Sequence, residues 1–145
     1  MAILFGKKER RLVRVLIVED EPLVAFDNER FLTDEGFHVV ATIDRVDHAV
    51  AKILDGTPID LVLADVNLAD GSGIDVAQVA FDRGIAVLFV TGDCPGHARA
   101  LANGCLAKPY FQRDLLGAIN AIDSVLSGVS PKRMPGGFTL FKDVA

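Results

Sequence analysis

The 145-residue sequence contains no tryptophan, one tyrosine and only two cysteines. The cysteines, Cys94 and Cys105, form no CxxC pair of the kind that zinc sites use. Two thiols without a disulfide framework are typical of a reducing compartment, so we predict a cytoplasmic protein. No stretch approaches the ~20 consecutive apolar residues that a membrane-spanning helix needs, which argues against membrane insertion.

Positive charge is scarce as well, and the formal net charge is −5. This balance argues against nucleic acid as the main partner. Basic residues cluster only near the N-terminus, and we interpret that cluster as a solvated tail and strand flank. Its members are Lys7, Lys8, Arg10, Arg11 and Arg14.

Strand-like and helix-like patterns alternate along the chain. Apolar runs predict strands at 13–18, 37–41, 61–64, 86–90 and 105–107. Helical spacing predicts helices at 22–35, 45–54, 75–83, 97–102 and 112–126. Asp44 is the expected N-cap of the second helix. Five βα units with right-handed crossovers predict an α/β fold with a doubly wound, five-stranded parallel sheet of the flavodoxin-like type.

The length fits one domain with flanking tails. We divide the chain into an N-terminal basic tail (1–12), a domain (13–127) and a C-terminal tail (128–145) that contains proline and glycine. The apolar residues Phe138, Leu140 and Phe141 in the last segment leave two alternatives open. The tail either docks on this domain or on a partner, or it is disordered.

Acidic residues follow two of the predicted strands. Glu19 and Asp20 come directly after the first strand, and Asp65 follows the third. Because the carboxyl ends of parallel strands gather at one edge of a sheet, these side chains are expected to meet. Carboxylates that lie close together repel one another unless a cation binds between them, and hard oxygen ligands suit Mg2+. The sequence therefore predicts a magnesium site.

Thr91 and Lys108 come directly after two further predicted strands. A bare aspartate is a poor nucleophile, but Mg2+ would neutralise its charge and that of an incoming phosphoryl group. A lysine beside it would balance the phosphoryl oxygens, and a threonine hydroxyl would hydrogen-bond one of them. This set of groups is suited to forming an aspartyl phosphate on Asp65.

Five short stretches, in this order, resemble a response-regulator receiver domain of the CheY-like class over about residues 13–126. They are LIVEDE (16–21), LADVN (63–67), GSG (71–73), VTG (90–92) and KP (108–109). The resemblance implies that Asp65 accepts a phosphoryl group from a histidine kinase or a histidine phosphotransferase. It implies Mg2+ bound by Glu19, Asp20, Asp65 and the backbone carbonyl of Asn67. It also implies that Thr91 and Lys108 contact the phosphoryl group.

The chain departs from the family pattern at the switch position. Receivers carry an aromatic residue three positions before the lysine, and here that position is Cys105. The stretch around Thr91 is similar to a variant class with a remodelled fourth helix and no aromatic switch. We expect the signal to travel through the loop 92–104 instead. Asn67 and Asp93 occupy the positions at which the family tunes access of hydrolytic water.

Three functions compete on these observations. The first is a single-domain response regulator that catalyses only its own phosphotransfer and dephosphorylation. It would act on an unidentified downstream protein or shuttle phosphate, as a monomer or a phosphorylation-dependent dimer. The second is a receiver-fold interaction module that works without phosphate, which the Cys105 departure motivates. The third is an Asp-x-Asp phosphatase, but Pro22 stands where the second aspartate should be.

Overall fold

The computed structural model describes residues 10–141. Strands and helices alternate through most of this range. In chain order the elements are β1 (Arg14–Val18), α1 (Pro22–Asp34), β2 (His38–Ile43), α2 (Val46–Leu54), β3 (Leu61–Ala64), β4 (Asn67–Leu68), β5 (Gly71–Ser72), α3 (Gly73–Asp82), β6 (Ala86–Thr91), a 3-10 helix (Gly96–Leu101), β7 (Gly104–Ala107), α4 (Gln112–Leu126) and β8 (Phe138–Leu140).

The main sheet has six strands in the order β2-β1-β3-β6-β7-β8. Its first five strands are parallel, which confirms the predicted five-stranded parallel sheet and α/β fold. The sixth strand, β8, was not predicted and runs antiparallel to β7. The short strands β4 and β5 form a separate two-stranded hairpin that begins after the two residues that follow β3.

Helices cover both faces of the sheet. One face packs α2 and α3 on side chains such as Val62 and Phe89. The other packs α1 and α4 on side chains such as Ile17 and Leu88. Strand β3 is apolar throughout and β6 is apolar up to its last residue, Thr91, because neither face of these central strands meets water. This double layer leaves the carboxyl edge of the strands free to carry polar groups.

The helix boundaries show what local signals predict well and what they miss. Helix α4 has the predicted bounds, but α2 begins after Arg45, which has no side-chain cap bond. Asp44 is therefore not its N-cap. Instead the distant Asp70 carboxylate accepts from the Val46 N–H at 2.8 Å. The predicted fourth helix is only a 3-10 helix, as expected for a remodelled segment.

Both predicted tails contain residues that attach to the domain. Leu12 is 3% exposed, and its N–H donates to Oδ2 of Asp123 on α4 at 3.0 Å. At the other end, β8 adds to the sheet and Phe141 is buried, so the docking alternative holds for this part of the tail. Lys7, Lys8 and residues 142–145 lie outside the described residues.

The two cysteines are not separate thiols, and that prediction is wrong. Cys94 and Cys105 form a disulfide across eleven positions of sequence. The pairing arises because β7 runs parallel to β6 and directly beside it, which brings Cys105 close to the segment that follows β6. Among the helices of the described range, none combines the length and the apolar character needed to cross a membrane.

Candidate functional site

Carboxylates from two neighbouring strands meet at the carboxyl edge of the sheet. Val18 pairs with Ala64, so Glu19 and Asp65 leave β1 and β3 at the same level. Glu19, Glu21 and Asp65 each place a carboxylate oxygen within 4.8 Å of the others. Glu19 and Asp65 are buried, with exposures of 2% and 6%, whereas Glu21 is exposed. The structure thus brings together two of the acids singled out from the sequence.

Asp20 is not a member of this three-carboxylate group among the described residues. Its side chain is half-buried, and Glu21 is the residue that approaches Glu19 and Asp65. The N–H of Glu21 also donates to Oε2 of Glu19 at 3.1 Å, which folds the loop back on itself. The sequence alone predicts no role for Glu21, although it stands in the same acidic run as Glu19.

Lys108 lies among the three acids. Its Nζ donates to Oε1 of Glu19 at 2.9 Å, to Oε1 of Glu21 at 2.7 Å and to Oδ2 of Asp65 at 2.8 Å. Burial alone would lower the pKa of Lys108, but the hydrogen bonds to these carboxylates outweigh it, and the pKa is raised. Lys108 is therefore a fixed cation at neutral pH.

The charges at this edge do not balance. Burial raises the pKa of Glu19, and the hydrogen bond from Lys108 only partly opposes that effect. One ammonium group serves three carboxylates, which leaves an excess of negative charge in a partly dry site. The three carboxylates offer hard oxygen atoms, the ligand type that Mg2+ prefers. The residues present therefore fit a divalent cation.

Thr91 adds a second polar group that a ligand at this edge could contact. Its side chain is fully buried, and Oγ1 has no hydrogen-bond partner among the described residues. The strand register places it beside the strand that leads to Lys108, and the Lys108 N–H donates to the Thr91 carbonyl at 2.8 Å. A buried hydroxyl without a partner is costly unless a further group supplies one.

The loop that follows Asp65 fixes the position of this residue. The N–H of Asn67 donates to Oδ1 of Asp65 at 3.1 Å, and Asn67 pairs with Ser72 in the small hairpin. Gly73 then passes so close that a Cβ there would overlap the carbonyl oxygen of Asp65. Ser72 caps α3 by accepting from the Ile74 N–H, so the helix begins at the loop that fixes Asp65.

The segment after Lys108 is pinned to α1 by residues that sequence analysis missed. The Lys108-Pro109 peptide is cis, and the hydroxyl of Tyr110 accepts from Nδ2 of the buried Asn28 at 2.8 Å. Burial raises the pKa of Tyr110, which stays a neutral phenol. No local pattern signals this pair, because its members lie on α1 and beyond β7.

Cys105, which stands at the aromatic switch position, is fully buried and bonded to Cys94. A side chain fixed in this way cannot turn inward as an aromatic switch does. Asn67 and Asp93, the two positions at which the family tunes access of hydrolytic water, are both exposed.

Residues 15–120 match the family model described as the response regulator receiver domain. Similar known proteins include the TorCAD operon transcriptional regulatory protein TorR of Escherichia coli O157:H7, which is 32% identical over 70% of this chain and 46% of its own. The phyllosphere-induced regulator PhyR of Methylorubrum extorquens is 34% identical over 73% of this chain and 42% of its own. The chain thus spans about half the length of these relatives or less.

Solved structures agree with the sequence match. A CheY-like receiver domain protein from Methanospirillum hungatei aligns with a TM-score of 0.70 and 26% identity, covering 81% of this chain and 98% of its own. The response regulator PhyR from Brucella abortus aligns with a TM-score of 0.65 and 32% identity over 82% of this chain and 51% of its own. The chain belongs to the response-regulator receiver domain family.

Proposed function

We propose that this receiver domain accepts a phosphoryl group on Asp65 from a histidine kinase or a histidine phosphotransferase, in a Mg2+-dependent reaction in the cytoplasm. The observation that carries the proposal is the pairing of Asp65 with a fixed cation beside an unpartnered hydroxyl. Oδ2 of Asp65 lies 2.8 Å from Nζ of Lys108, and Oγ1 of Thr91 is buried without a hydrogen-bond partner within residues 10–141. Both groups suit the oxygens of a phosphoryl group better than they suit the unmodified site.

The chain's own residues divide the work of the transfer. Asn67 and Lys108 hold the two carboxylate oxygens of Asp65 in fixed directions. An oxygen of Asp65 forms a bond to phosphorus as the phosphorus–nitrogen bond of phosphohistidine breaks, and that electron pair returns to the imidazole nitrogen. Lys108 then balances the new phosphoryl oxygens, and the Thr91 hydroxyl donates to one of them.

The excess negative charge at the site supports a bound cation. Mg2+ would supply charge neutralisation for both the carboxylate and the incoming phosphoryl group. We assign it to Glu19, Asp20, Asp65 and the backbone carbonyl of Asn67, with Glu21 as a further carboxylate beside them. Asn67 and Asp93 are exposed next to the site residues and would govern the approach of hydrolytic water.

The surface beside the site suits a protein donor. A cavity of about 440 Å³ opens between α1 and the segment after Lys108, lined in part by Val24, Pro109 and Tyr110. Helix α1 also exposes Leu23, and Phe111 is exposed just beyond the cavity lining. Exposed apolar side chains at a groove are typical of protein contact surfaces. A phosphohistidine presented on a helix would reach Asp65 from this side.

A receiver-fold interaction module that works without phosphate is the second candidate. The disulfide-bonded Cys105 supports it, because an aromatic switch cannot operate there. The Thr91 hydroxyl and the Lys108 cation count against it, since a scaffold needs neither group.

Intact mass after incubation with Mg2+ and a small phosphoryl donor tests the proposal. Acetyl phosphate is one donor, and phosphoramidate is a second that carries the phosphorus–nitrogen bond of phosphohistidine. We expect one phosphoryl adduct that requires Mg2+, is lost in Asp65→Asn and is retained in Asp60→Asn, a matched change at an acid far from the site. Failure of both donors, and of a panel of phosphorylated histidine phosphotransferases, would contradict the proposal and favour the interaction module.

A further inference from the structure

The disulfide lies within the stretch of chain that joins two residues of the site. Cys94 comes three residues after Thr91, and Cys105 comes three residues before Lys108. The bond between them closes a loop that contains the 3-10 helix Gly96–Leu101. We call residues 92–104 the connecting segment. The disulfide therefore fastens the connecting segment, at its Thr91 end, to the strand that leads to Lys108.

Little else in the connecting segment reaches the sheet near Thr91. The Ala98 N–H donates to the carbonyl of Pro95 at 3.1 Å, and the Ala102 N–H donates to that of Arg99 at 3.4 Å. Both bonds stay within the segment. The far end of the segment is held to β6 by Asn103, whose N–H donates to the Val87 carbonyl at 2.8 Å and whose Oδ1 accepts from the Val87 N–H at 2.9 Å. The Thr91 end has no such bond among the described residues, so it opens at a modest free energy unless another restraint holds it. The disulfide is such a restraint.

The two sulfur atoms differ in access. Cys105 is fully buried and packs in a cluster with Ala98, Ala102 and Phe141. Cys94 is only partly buried and lies next to exposed residues. A small thiol can therefore approach the Cys94 sulfur, while Cys105 is positioned as the buried partner that leaves or returns.

We propose that Cys94 and Cys105 form a reversible redox site whose oxidised state restrains the connecting segment and slows phosphoryl transfer to Asp65. Disulfides in cytoplasmic proteins are mostly transient and redox-sensing rather than structural. The restraint acts on Thr91 because the segment follows it directly, and its buried hydroxyl must reorient to meet a phosphoryl oxygen. The inference rests on the proposed function of Asp65.

The redox step balances with cellular thiols as the reductant. A thiolate attacks the Cys94 sulfur, the bond between the two cysteines breaks, and Cys105 leaves as a thiolate that takes a proton. A second thiol attacks the mixed disulfide and releases Cys94. Two external thiols become one disulfide, and their two electrons and two protons reside on the cysteines. A small-molecule disulfide drives the reverse reaction.

Parallel measurements on the oxidised and reduced full chain test the inference. The chain is equilibrated with glutathione disulfide or with dithiothreitol, and free thiols are counted by alkylation and mass. Hydrogen exchange of residues 92–104 and the rate of labelling by phosphoramidate with Mg2+ are then compared. We expect reduction to speed both by about fivefold or more, the low end of typical coupling between sites.

Two variants serve as controls. Cys94→Ser changes the more exposed sulfur and should exchange and label at the reduced rates under both conditions. Cys105→Ala should behave in the same way. If the buried site does not tolerate that change, Cys94→Ser carries the comparison alone.

Two results would overturn the inference, and a third would separate it from the proposed function. A bond that never forms with glutathione disulfide, or that dithiothreitol does not break in the folded chain, removes the redox site. Equal hydrogen exchange and equal labelling in the oxidised and reduced states would show that the disulfide does not regulate the connecting segment or the phosphoryl transfer. If exchange changes but neither state is labelled, the proposed function of Asp65 fails and takes the phosphorylation step with it, while redox control of the segment stands.

Discussion

The ammonium nitrogen of Lys108 lies 2.8 Å from Oδ2 of Asp65 and donates at similar distances to Glu19 and Glu21. One cation thus holds together three acids that come from two strands. Glu19 depends most on it, because its side chain is almost fully buried. The energetics of the site follow from this unequal ratio of charges.

Replacing Lys108 with methionine should destabilise the fold in the absence of Mg2+ by about 3 kcal/mol near neutral pH, since it leaves a buried carboxylate unpaired. Burial already raises the pKa of Glu19, and loss of the ammonium group raises it further. A carboxyl group whose pKa is raised in the folded state lowers the stability of the fold, and the full cost is present above that raised pKa. The cost fades as the pH falls toward the pKa that the group has in the unfolded chain.

Urea denaturation from about pH 8 to about pH 5 measures this effect. The difference between the wild type and Lys108→Met should shrink as the pH falls, and added Mg2+ should reduce it at high pH. Lys52→Met is the matched control, because Lys52 forms only a surface pair with Asp55 at 3.6 Å. A loss for Lys108→Met that is independent of pH would show that the carboxylates are not its cause.

Asp65→Asn should raise the melting temperature without Mg2+ while abolishing phosphoryl labelling. The change lowers the number of carboxylates around Lys108 from three to two and relieves repulsion worth about 1 kcal/mol. Added Mg2+ should stabilise the wild type more than the variant, which reverses or narrows the difference. A lower melting temperature for Asp65→Asn without Mg2+ would refute the excess of negative charge.

Asp60, at the amino ends of strands β1 and β3, has a lowered pKa, in contrast to the raised pKa of Glu19. Its carboxylate accepts from the N–H groups of Val13 and Arg14 and from the Arg14 guanidinium. Burial alone would raise the pKa of Asp60, but these donors lower it overall. A lowered folded-state pKa gives stability that is present above the unfolded pKa, about 4, and is lost as the pH falls through the folded value.

Asp60→Asn should therefore destabilise the fold by about 1–2 kcal/mol at neutral pH, the usual worth of hydrogen bonds to a charged group. Chemical denaturation between neutral pH and about pH 3 should show the difference from the wild type disappearing in acid. A difference that persists in acid would mean that the ionised carboxylate contributes nothing.

The Thr91 hydroxyl should cost stability in the unmodified protein. Thr91→Val keeps the shape of the side chain and removes a buried polar atom without a partner, so the free energy of unfolding should rise by about 1 kcal/mol. Labelling of Asp65 should slow at the same time, because no hydroxyl remains to meet the phosphoryl group. Thr91→Ser is the control and should keep the labelling rate.

The labelling rate is measured by quenching the reaction at several times, and the stability is measured by thermal melts of the same samples. If Thr91→Val labels at the wild-type rate, the hydroxyl takes no part in the transfer. If it is less stable than the wild type, the hydroxyl has a partner in solution.

The sequence predicted the parallel sheet because its strands are local apolar runs that proline, glycine or acidic residues end. Strand β3 and helix α4 have the predicted bounds for this reason. The predicted meeting of Glu19 and Asp65 needed only the rule that parallel strands end at one edge. Ser72, which caps α3, was a local signal that sequence analysis did not use.

The features that sequence analysis missed depend on contacts between distant parts of the chain. The disulfide joins two cysteines whose spacing carries no motif, and β8 exists only because the edge of β7 is open to it. Which acid beside Glu19 approaches Asp65 is decided by the direction of the loop after β1. Neither hydrophobic period nor turn chemistry encodes that direction.

The close packing of β8 on β7 makes the attachment of the C-terminal segment testable. A Cβ on Gly104 would lie 2.6 Å from Cε1 of Phe138 and 2.9 Å from the carbonyl oxygen of Thr139. Gly104→Ala should therefore push β8 away, with a stability loss of about 2 kcal/mol, typical of overpacking. Limited proteolysis should cut near residue 137 sooner in this variant than in the wild type.

Gly96→Ala is the matched control, since a Cβ there meets nothing within 4 Å. A chain truncated after residue 136 completes the comparison. Because the clash exists only when β8 is present, Gly104→Ala should cost much less in the truncated chain than in the full chain, and the difference between the two costs measures the coupling. Equal costs in both chains would mean that β8 does not rest on Gly104, and the strand order of the sheet would have to end at β7.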